Sequence, residues 1–365
     1  MDRVSFGVLG CASIARRKML PALVSHPRAH VVAVASRTAD KAARFASEFG
    51  CDAVTGYERL LERPDIDAVY VPLPAGLRTE WITKALTAGK HVLAEKPLTV
   101  TAATARELVT LSRTQGLLLM ESFMFLHHSA HRAVQDLVDA GRIGELRSFS
   151  ATFTIPPLPK DDIRHRPDLG GGALLDLGAY TVRAAQLHCG TDLVPKGTVL
   201  VTDPDTGADV SGAALLSAGP VVAHLSFGMV HPYRCAYRLT GSTGTLTLER
   251  AFTPPPTWQP VLRAESQDRS EEIRLPADDH FANTVTAFTT AVLAGDGFTA
   301  HGDRIVRQAE LLEGVRLAAA AVPAASRVRR AGHAHHWPRF SRLRSPCSGR
   351  PALTCRRFRR RRLPQ

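Results

Sequence analysis

VSFGVLGCASIA, running from Val4 to Ala15, decides how the rest of the chain is read. Val4–Leu9 is a short apolar run without polar alternation, which predicts a strand buried on both faces and ending at Gly10. A helical period takes over from Ile14 to about Ser25. Between them, Gly10-Cys11-Ala12-Ser13-Ile14-Ala15 spaces small residues as G-x-A-x-x-A. Gly10 permits a tight turn, Ala12 lets the backbone approach a ligand, and Ala15 allows close packing of helix on strand. The free N–H groups of the following helix would then face phosphate oxygens. With alanine in two of three glycine places, a plain strand–turn–helix also fits; the position after a first strand favours the phosphate reading.

Working outward, further buried strands are expected at His30–Ala35, Ala68–Val71, His91–Ala94 and Leu117–Met120. Helices are expected at Ala39–Phe49, Leu77–Ala88 and Thr101–Gln115. Near-continuous apolar strands alternating with amphipathic helices predict an α/β fold, a doubly wound parallel sheet of the Rossmann type. The pattern then changes. A helical stretch within residues 123–144 leads to strand-like runs at Ser148–Ile155, Val199–Val201, Val221–Phe227, Tyr237–Thr240 and Thr245–Leu248. Helices at Asp279–Leu293 and Asp303–Ala321 follow. Consecutive strands predict a second α/β domain on an open, mostly antiparallel sheet. The division expected is 1–122 for the first domain, 123–322 for the second, and 323–365 for a tail.

The 365 residues carry a formal charge of +12. Thirteen of the 46 Lys and Arg fall between Arg327 and Gln365, a stretch without Asp or Glu, leaving 33 basic against 34 acidic residues before it. The body is therefore near neutral, and no specific nucleic-acid partner is expected for it. The tail is rich in Arg, Pro, Ser and His without hydrophobic periodicity, so a disordered appendage is expected. Contact of its Arg clusters with nucleic acid is the competing reading. No apolar run approaches the ~20 residues of a membrane span, and no signal-like segment opens the chain. Six scattered cysteines lack metal spacing and are expected as thiols, which points to the cytoplasm. His127, His128 and His231 read as structural or surface residues, and no metal is expected.

Candidate site residues come from four places. After the second strand, Ser36-Arg37-Thr38 offers a guanidinium and two hydroxyls where an NAD-preferring site would place an acid. Such donors suit a ribose 2′-phosphate, so NADPH is favoured over NADH, although a surface arginine would look the same. After the strand at His91–Ala94 comes Glu95-Lys96-Pro97, a lysine at the carboxyl end of a parallel strand, where such folds bind ligands. Pro97 restricts the backbone and allows a cis bond. Alone, these three residues fit an exposed structural pair equally well. Val71-Pro72-Leu73-Pro74 ends the preceding strand, and Gly170-Gly171-Gly172 leads into a helical segment carrying Asp176 and Tyr180. Their i, i+4 spacing puts carboxylate and phenol on one helix face. A tyrosine there, taken alone, is more often a core residue.

In this order, GVLGCASIA, VASR, VPLP, AEKP and GGGALLDLGAY resemble the glucose-fructose oxidoreductase/inositol dehydrogenase/MocA family over about residues 3–322. MESFMFLHHS, SFSATFTIPPLP, DIRHRPDLGGG and RAFTPP look closer still to its sugar 3-ketoreductases of actinomycete deoxysugar pathways. The resemblance implies NADPH-dependent reduction of the C3 ketone of a nucleotide-linked keto-deoxysugar by a homodimer or homotetramer. It implies Lys96 as catalytic lysine and Tyr180 as the residue protonating the substrate oxygen. On physical grounds a nearby ammonium is expected to lower the phenol's pKa, and the two roles could be exchanged. The resemblance places Tyr57, Leu73, Pro74, Arg164 and Asp176 around the cofactor. Arg78 departs from the histidine expected in that motif. A free-sugar or dihydrodiol dehydrogenase, or a catalytically idle NADP-binding regulator, are the competing functions.

Overall fold

Six parallel strands form the first sheet: β1 (Val4–Leu9), β2 (Ala29–Ser36), β3 (Asp52–Thr55), β4 (Ala68–Val71), β5 (His91–Glu95) and β6 (Leu119–Ser122). The computed structural model describes residues 2–323, so the expectations for the tail beyond Pro323 lie outside the described residues. The sheet order is β3-β2-β1-β4-β5-β6. Chain direction across the sheet reverses between β1 and β4, and the carboxyl ends of those strands open a crevice there. The central strands β1, β4 and β5 are almost wholly buried, which is why apolar runs betrayed them. Edge strand β3 and the short helix Tyr57–Leu61 were not expected; β3 is mostly exposed and has no apolar run to read.

The first helix departs from the expected single span. A π-helical turn at Ala15–Met19 precedes an α-helix at Leu20–Ser25, with Arg16 N–H donating to the Ala12 carbonyl at 3.1 Å. After β6, the helix Ser129–Asp139 crosses to the second sheet. Its strands are β7 (Leu146–Thr154), β8 (Val194–Thr202), β9 (Asp209–Ala218), β10 (Val221–Gly228), β11 (Arg234–Gly241), β12 (Thr245–Glu249), β13 (Val261–Glu265), β14 (Ser270–Arg274) and β15 (Ala319–Pro323). They run in the order β14-β13-β12-β11-β7-β10-β9-β8-β15. Pairing is antiparallel except between β7 and β10 and between β8 and β15. The helix Ala179–Cys189 packs on the inner face, carrying Tyr180 into the core.

The last two helices, His280–Ala294 and Phe298–Leu317, turn back onto the first sheet. Phe288 meets Phe6 of β1 with ring centroids 5.5 Å apart. Arg113 and Arg106, from the helix Ala102–Thr114, pair with Asp303 and Glu310. One continuous core therefore joins both sheets beneath the crevice. Among the described residues no helix is long and apolar enough to cross a membrane. Cys11, Cys51, Cys189 and Cys235 are free thiols.

Candidate active site

A cleft of about 540 Å³ opens where the carboxyl ends of β1, β4 and β5 face the second sheet. Gly10 makes the tight turn that leads into its wall. With φ at +118° the turn favours glycine, and a Cβ there would stand 2.9 Å from Leu73 Cδ2. Gly10 N–H donates to the Ala35 carbonyl at 3.0 Å, locking the turn onto β2. Ala12, Ser13 and Ile14 line the cleft, with Arg17 Nε donating to Ser13 Oγ at 2.9 Å. Cys11 does not line it; the residue is buried, and burial pushes its thiol pKa up. Ser36 is buried, while Arg37 and Thr38 are exposed at the end of β2, outside the cleft wall. Tyr57 stands beside the Gly10 turn, edge-on to Trp81.

Lys96, Asp176, Arg164 and Tyr180 meet on the wall of this cleft. The Lys96–Pro97 bond is cis. The Lys96 ammonium donates to the Asp176 carbonyl and to Asp176 Oδ1, both at 2.7 Å. Two of its three N–H groups are thereby used, leaving one for a ligand. Arg164 Nε donates to Asp176 Oδ2 at 2.5 Å, and Asp162 pairs with the same guanidinium at 3.1 Å. Burial alone would raise the Asp176 carboxyl, but Lys96 and Arg164 outweigh it and hold the pKa below the usual range. Asp176 lies in a π-helical turn, Leu174–Gly178, and Tyr180 in the α-helix that continues from it, so the expected single helix is two elements. Both side chains still reach one cleft. Gly171 lets the 162–171 loop close on this turn; a Cβ there would lie 2.7 Å from the Ile163 and Arg164 carbonyl oxygens.

Tyr180 corrects one expectation. Its phenol pKa is pushed well above the ordinary value, first by burial and then by the Glu95 and Asp176 charges. Four rings surround it (Phe123, Phe125, Phe153 and Phe252) at centroid distances of 5.1–5.8 Å. The Lys96 ammonium sits over the ring face, 4.7 Å from the centroid, and is committed to Asp176. Net acidification of the phenol by lysine is therefore not what this arrangement produces. The hydroxyl instead points at Met124 Sδ, 3.6 Å away, fully protonated at neutral pH.

Arg78 is buried and fastens two loops, donating from Nε to the Leu73 carbonyl at 2.6 Å and from Nη1 to the Pro97 carbonyl. It also borders the cleft with Pro74, Glu95 and Pro97. Glu95 accepts from the Tyr70 hydroxyl at 2.7 Å behind the wall. Sequence reasoning missed Glu121, half-buried behind the lysine turn, whose Oε1 accepts from Leu98 N–H at 2.7 Å. Burial raises its pKa to about 7. Met124, Phe153, Ile155 and Thr253 also went unrecognised on the wall. The signals for Met124 and Phe153 were present in MESFMF and SFSATF, but neither motif says which side chain faces a cleft.

Taken together, the Gly10 turn, the hydroxyl of Ser13 and the exposed cations Arg17 and Arg37 fit a phosphorylated dinucleotide. Its reactive end would lie toward a buried lysine and phenol, the constellation of a carbonyl reductase. The chain belongs to the GFO/IDH/MocA oxidoreductase family. The family's NAD-binding Rossmann-fold model matches residues 4–123, and its C-terminal domain model matches residues 131–247. A dTDP-3,4-didehydro-2,6-dideoxy-alpha-D-glucose 3-reductase of Actinomadura kijaniata is 53% identical, covering 87% of this chain and 96% of its own. A reductase of the same name from Streptomyces antibioticus is 52% identical, covering 86% of this chain and 96% of its own. The crystal structure of a 3-ketoreductase from Actinomadura kijaniata with NADP and TDP-benzene superposes with a TM-score of 0.86. It is 52% identical and covers 88% of this chain and 99% of that one.

Proposed function

We propose that the protein is the NADPH-dependent reductase of the C3 ketone in a dTDP-linked 3,4-diketo-2,6-dideoxyhexose. The observation that carries this reading is identity above one half to reductases of that substrate across nearly their whole length, with Lys96 and Tyr180 facing one cleft. The bound cofactor supplies hydride to the carbonyl carbon. The chain's part is to hold that carbon in line and to stabilise and protonate the oxygen. Arg37 and Thr38 would hold the 2′-phosphate, the Gly10–Ile14 turn the pyrophosphate, and Tyr57, Leu73, Pro74, Arg78, Glu95, Pro97, Arg164 and Asp176 would border or support the cofactor.

The Tyr180 hydroxyl gives its proton to the developing alkoxide, and the free N–H of Lys96 polarises the same oxygen. Burial of the phenol favours a second assignment in which Lys96 itself donates that proton. Asp176 and Arg164 fix the lysine head in either case. The reading keeps residues 1–122 as the cofactor half and 123–322 as the substrate half, in a cytoplasmic homodimer or homotetramer. The outer face of the second sheet, with Val199 and Leu215 exposed, is the surface proposed for assembly.

Incubating the protein with dTDP-3,4-didehydro-2,6-dideoxyglucose and either NADPH or NADH tests the substrate and cofactor together. Turnover with NADPH, lost selectively in Arg37→Ala through a KM raised about tenfold for loss of a charge-assisted contact, is expected. Equal use of NADH by the unaltered protein would remove the 2′-phosphate reading, and no turnover with either would remove the function.

A further inference from the structure

Asp176 and Arg164 hold the head of Lys96, but where a lysine reaches also depends on where its backbone stands. Lys96 follows directly on β5, and register pairs Ala94 of β5 with Glu121 of β6 and Glu95 with Ser122. The Glu121 side chain therefore starts beside the strand end that carries the lysine. Pro97 has no N–H to give, so the first backbone donor after Lys96 is Leu98 N–H. It goes to Glu121 Oε1 at 2.7 Å. Leu98 is 2% exposed, which leaves its N–H dependent on that acceptor. The Pro97 carbonyl accepts from Arg78 Nη1, on the helix Ala75–Thr87. Two side chains of opposite charge thus fasten the backbone just after the lysine.

Glu121 is half-buried as a residue, yet its Oε2 is shut off from solvent and has no hydrogen-bond partner among the described residues. An uncharged acceptor would satisfy the Leu98 amide without the cost of desolvating a carboxylate. What faces the carboxyl is positive: Arg183 first, then Arg78 and Lys96. Arg183 lies on the Tyr180 helix, donates to the Arg304 carbonyl at 3.1 Å and stands 5.6 Å from the Phe123 ring centroid. The same ring is edge-on to Tyr180 at 5.7 Å. Glu121 therefore stands between the lysine turn and the tyrosine helix, the two elements that must meet at the carbonyl. Burial outweighs the cations and pushes its pKa up to about 7. Near Arg183, burial lowers His127 and His301 to about 4, so both stay neutral at neutral pH. Glu95 and Asp176, which face Arg78 and Lys96, complete the charged set.

We infer that Glu121 is a positioning residue for the reduction: its carboxylate anchors the Leu98 amide and so sets where the root of Lys96 stands relative to Tyr180. It does not touch the ketone and acts through the lysine. Ionisation strengthens the anchor, because a charge-assisted hydrogen bond is about twice as strong as a neutral one. The inference rests on the proposed function, since it presumes a carbonyl for Lys96 to meet.

Steady-state NADPH consumption by the full chain with dTDP-3,4-didehydro-2,6-dideoxyglucose, from about pH 6 to 8, tests it with two variants. Glu121→Met fills the space but leaves the Leu98 N–H unpaired. Its kcat is expected to fall about tenfold, within the range an unpaired buried donor allows, with KM for the ketone kept within about twofold. Glu121→Gln keeps an acceptor and rescues most of that loss, but it cannot ionise. The ratio of unaltered to Glu121→Gln kcat should therefore rise about threefold from pH 6 to 8, as Glu121 loses its proton. A ratio that stays level over this range, or full kcat in Glu121→Met, overturns the inference. A loss carried by KM alone in Glu121→Met overturns it too, by making Glu121 part of binding rather than of lysine placement.

Hydrogen exchange at the Leu98 amide, read by mass spectrometry, needs no substrate. Protection is expected in the unaltered protein and in Glu121→Gln and is expected to be lost in Glu121→Met. Equal protection in all three overturns the anchor. If the unaltered protein does not reduce the ketone, the proposed function fails, and the exchange result alone decides whether Glu121 holds the lysine turn.

Discussion

Asp176→Asn is the most informative single change, because one carboxylate organises both the lysine and the arginine of the site. Asp176 is 20% exposed and pairs with Lys96, 10% exposed, at 2.7 Å, and with Arg164, 37% exposed, at 2.5 Å. The amide keeps the shape and removes the charge, leaving two cations facing a neutral group. Breaking a fully buried pair costs about 3–5 kcal/mol, and solvent screening of the more exposed Arg164 brings the expectation to about 2–3 kcal/mol. For a body of this size that corresponds to a Tm lower by about 3–4 °C. The freed lysine head would no longer be held toward the carbonyl oxygen, so kcat is expected to fall about a hundredfold, within the range for a positioned acid–base group.

The pH dependence carries a sign that distinguishes this account. The Asp176 pKa is depressed in the folded protein, so its stabilisation is present above the unfolded value of about 3.9 and is lost as pH falls through the folded value. The stability gap between the unaltered protein and Asp176→Asn should therefore be flat from about pH 5 to 8 and close only in stronger acid. Circular-dichroism melts across pH, together with NADPH consumption at neutral pH, measure both arms. A variant that melts with the unaltered protein and retains its kcat refutes the role given to this carboxylate.

Tyr180→Phe should lower kcat by about a hundredfold or more with NADPH affinity intact, whereas a larger loss in Lys96→Ala than in Tyr180→Phe would move the proton to lysine. Arg78→Met strips the donor from the Leu73 and Pro97 carbonyls, so kcat/KM for NADPH should fall about tenfold, consistent with unsatisfied buried acceptors at about 1–3 kcal/mol each; steady-state kinetics at varied NADPH read it. Glu121, with its pKa raised to about 7, stabilises the fold most below its unfolded pKa and loses that contribution as pH rises toward 7. Glu121→Gln should accordingly gain stability relative to the unaltered protein between about pH 4.5 and 7, and a constant difference across that window in chemical denaturation would contradict the assignment.

The strands β1, β4 and β5 were legible because both faces are buried and the sequence shows it as unbroken apolar runs. β3, β13 and β14 were not, because DAVT, VLRAE and SEEIR lie at or near sheet edges with much of each strand in solvent. β9 escaped for another reason: DVSGAALLSA is built of small residues that carry weak strand preference, and its place comes from pairing with β8 and β10. At the site, spacing put Asp176 and Tyr180 on one surface, and the widened turn at Leu174–Gly178 changed the element without separating them. What spacing could not give was the phenol's surroundings. Phe123, Phe153 and Phe252 converge on Tyr180 from three distant segments, and that convergence turns an expected acidified phenol into a strongly protonated one.

The central claim, hydride delivery to C3 of a nucleotide-linked ketone in the Lys96–Tyr180 cleft, is tested most directly by isotope transfer. NADPH carrying deuterium at the transferable C4 position, dTDP-3,4-didehydro-2,6-dideoxyglucose and the full chain should give a sugar with one deuterium, located at C3 by mass spectrometry. Lys96→Ala should give little or none in the same time. Deuterium at C4, or unlabelled product, would contradict the account.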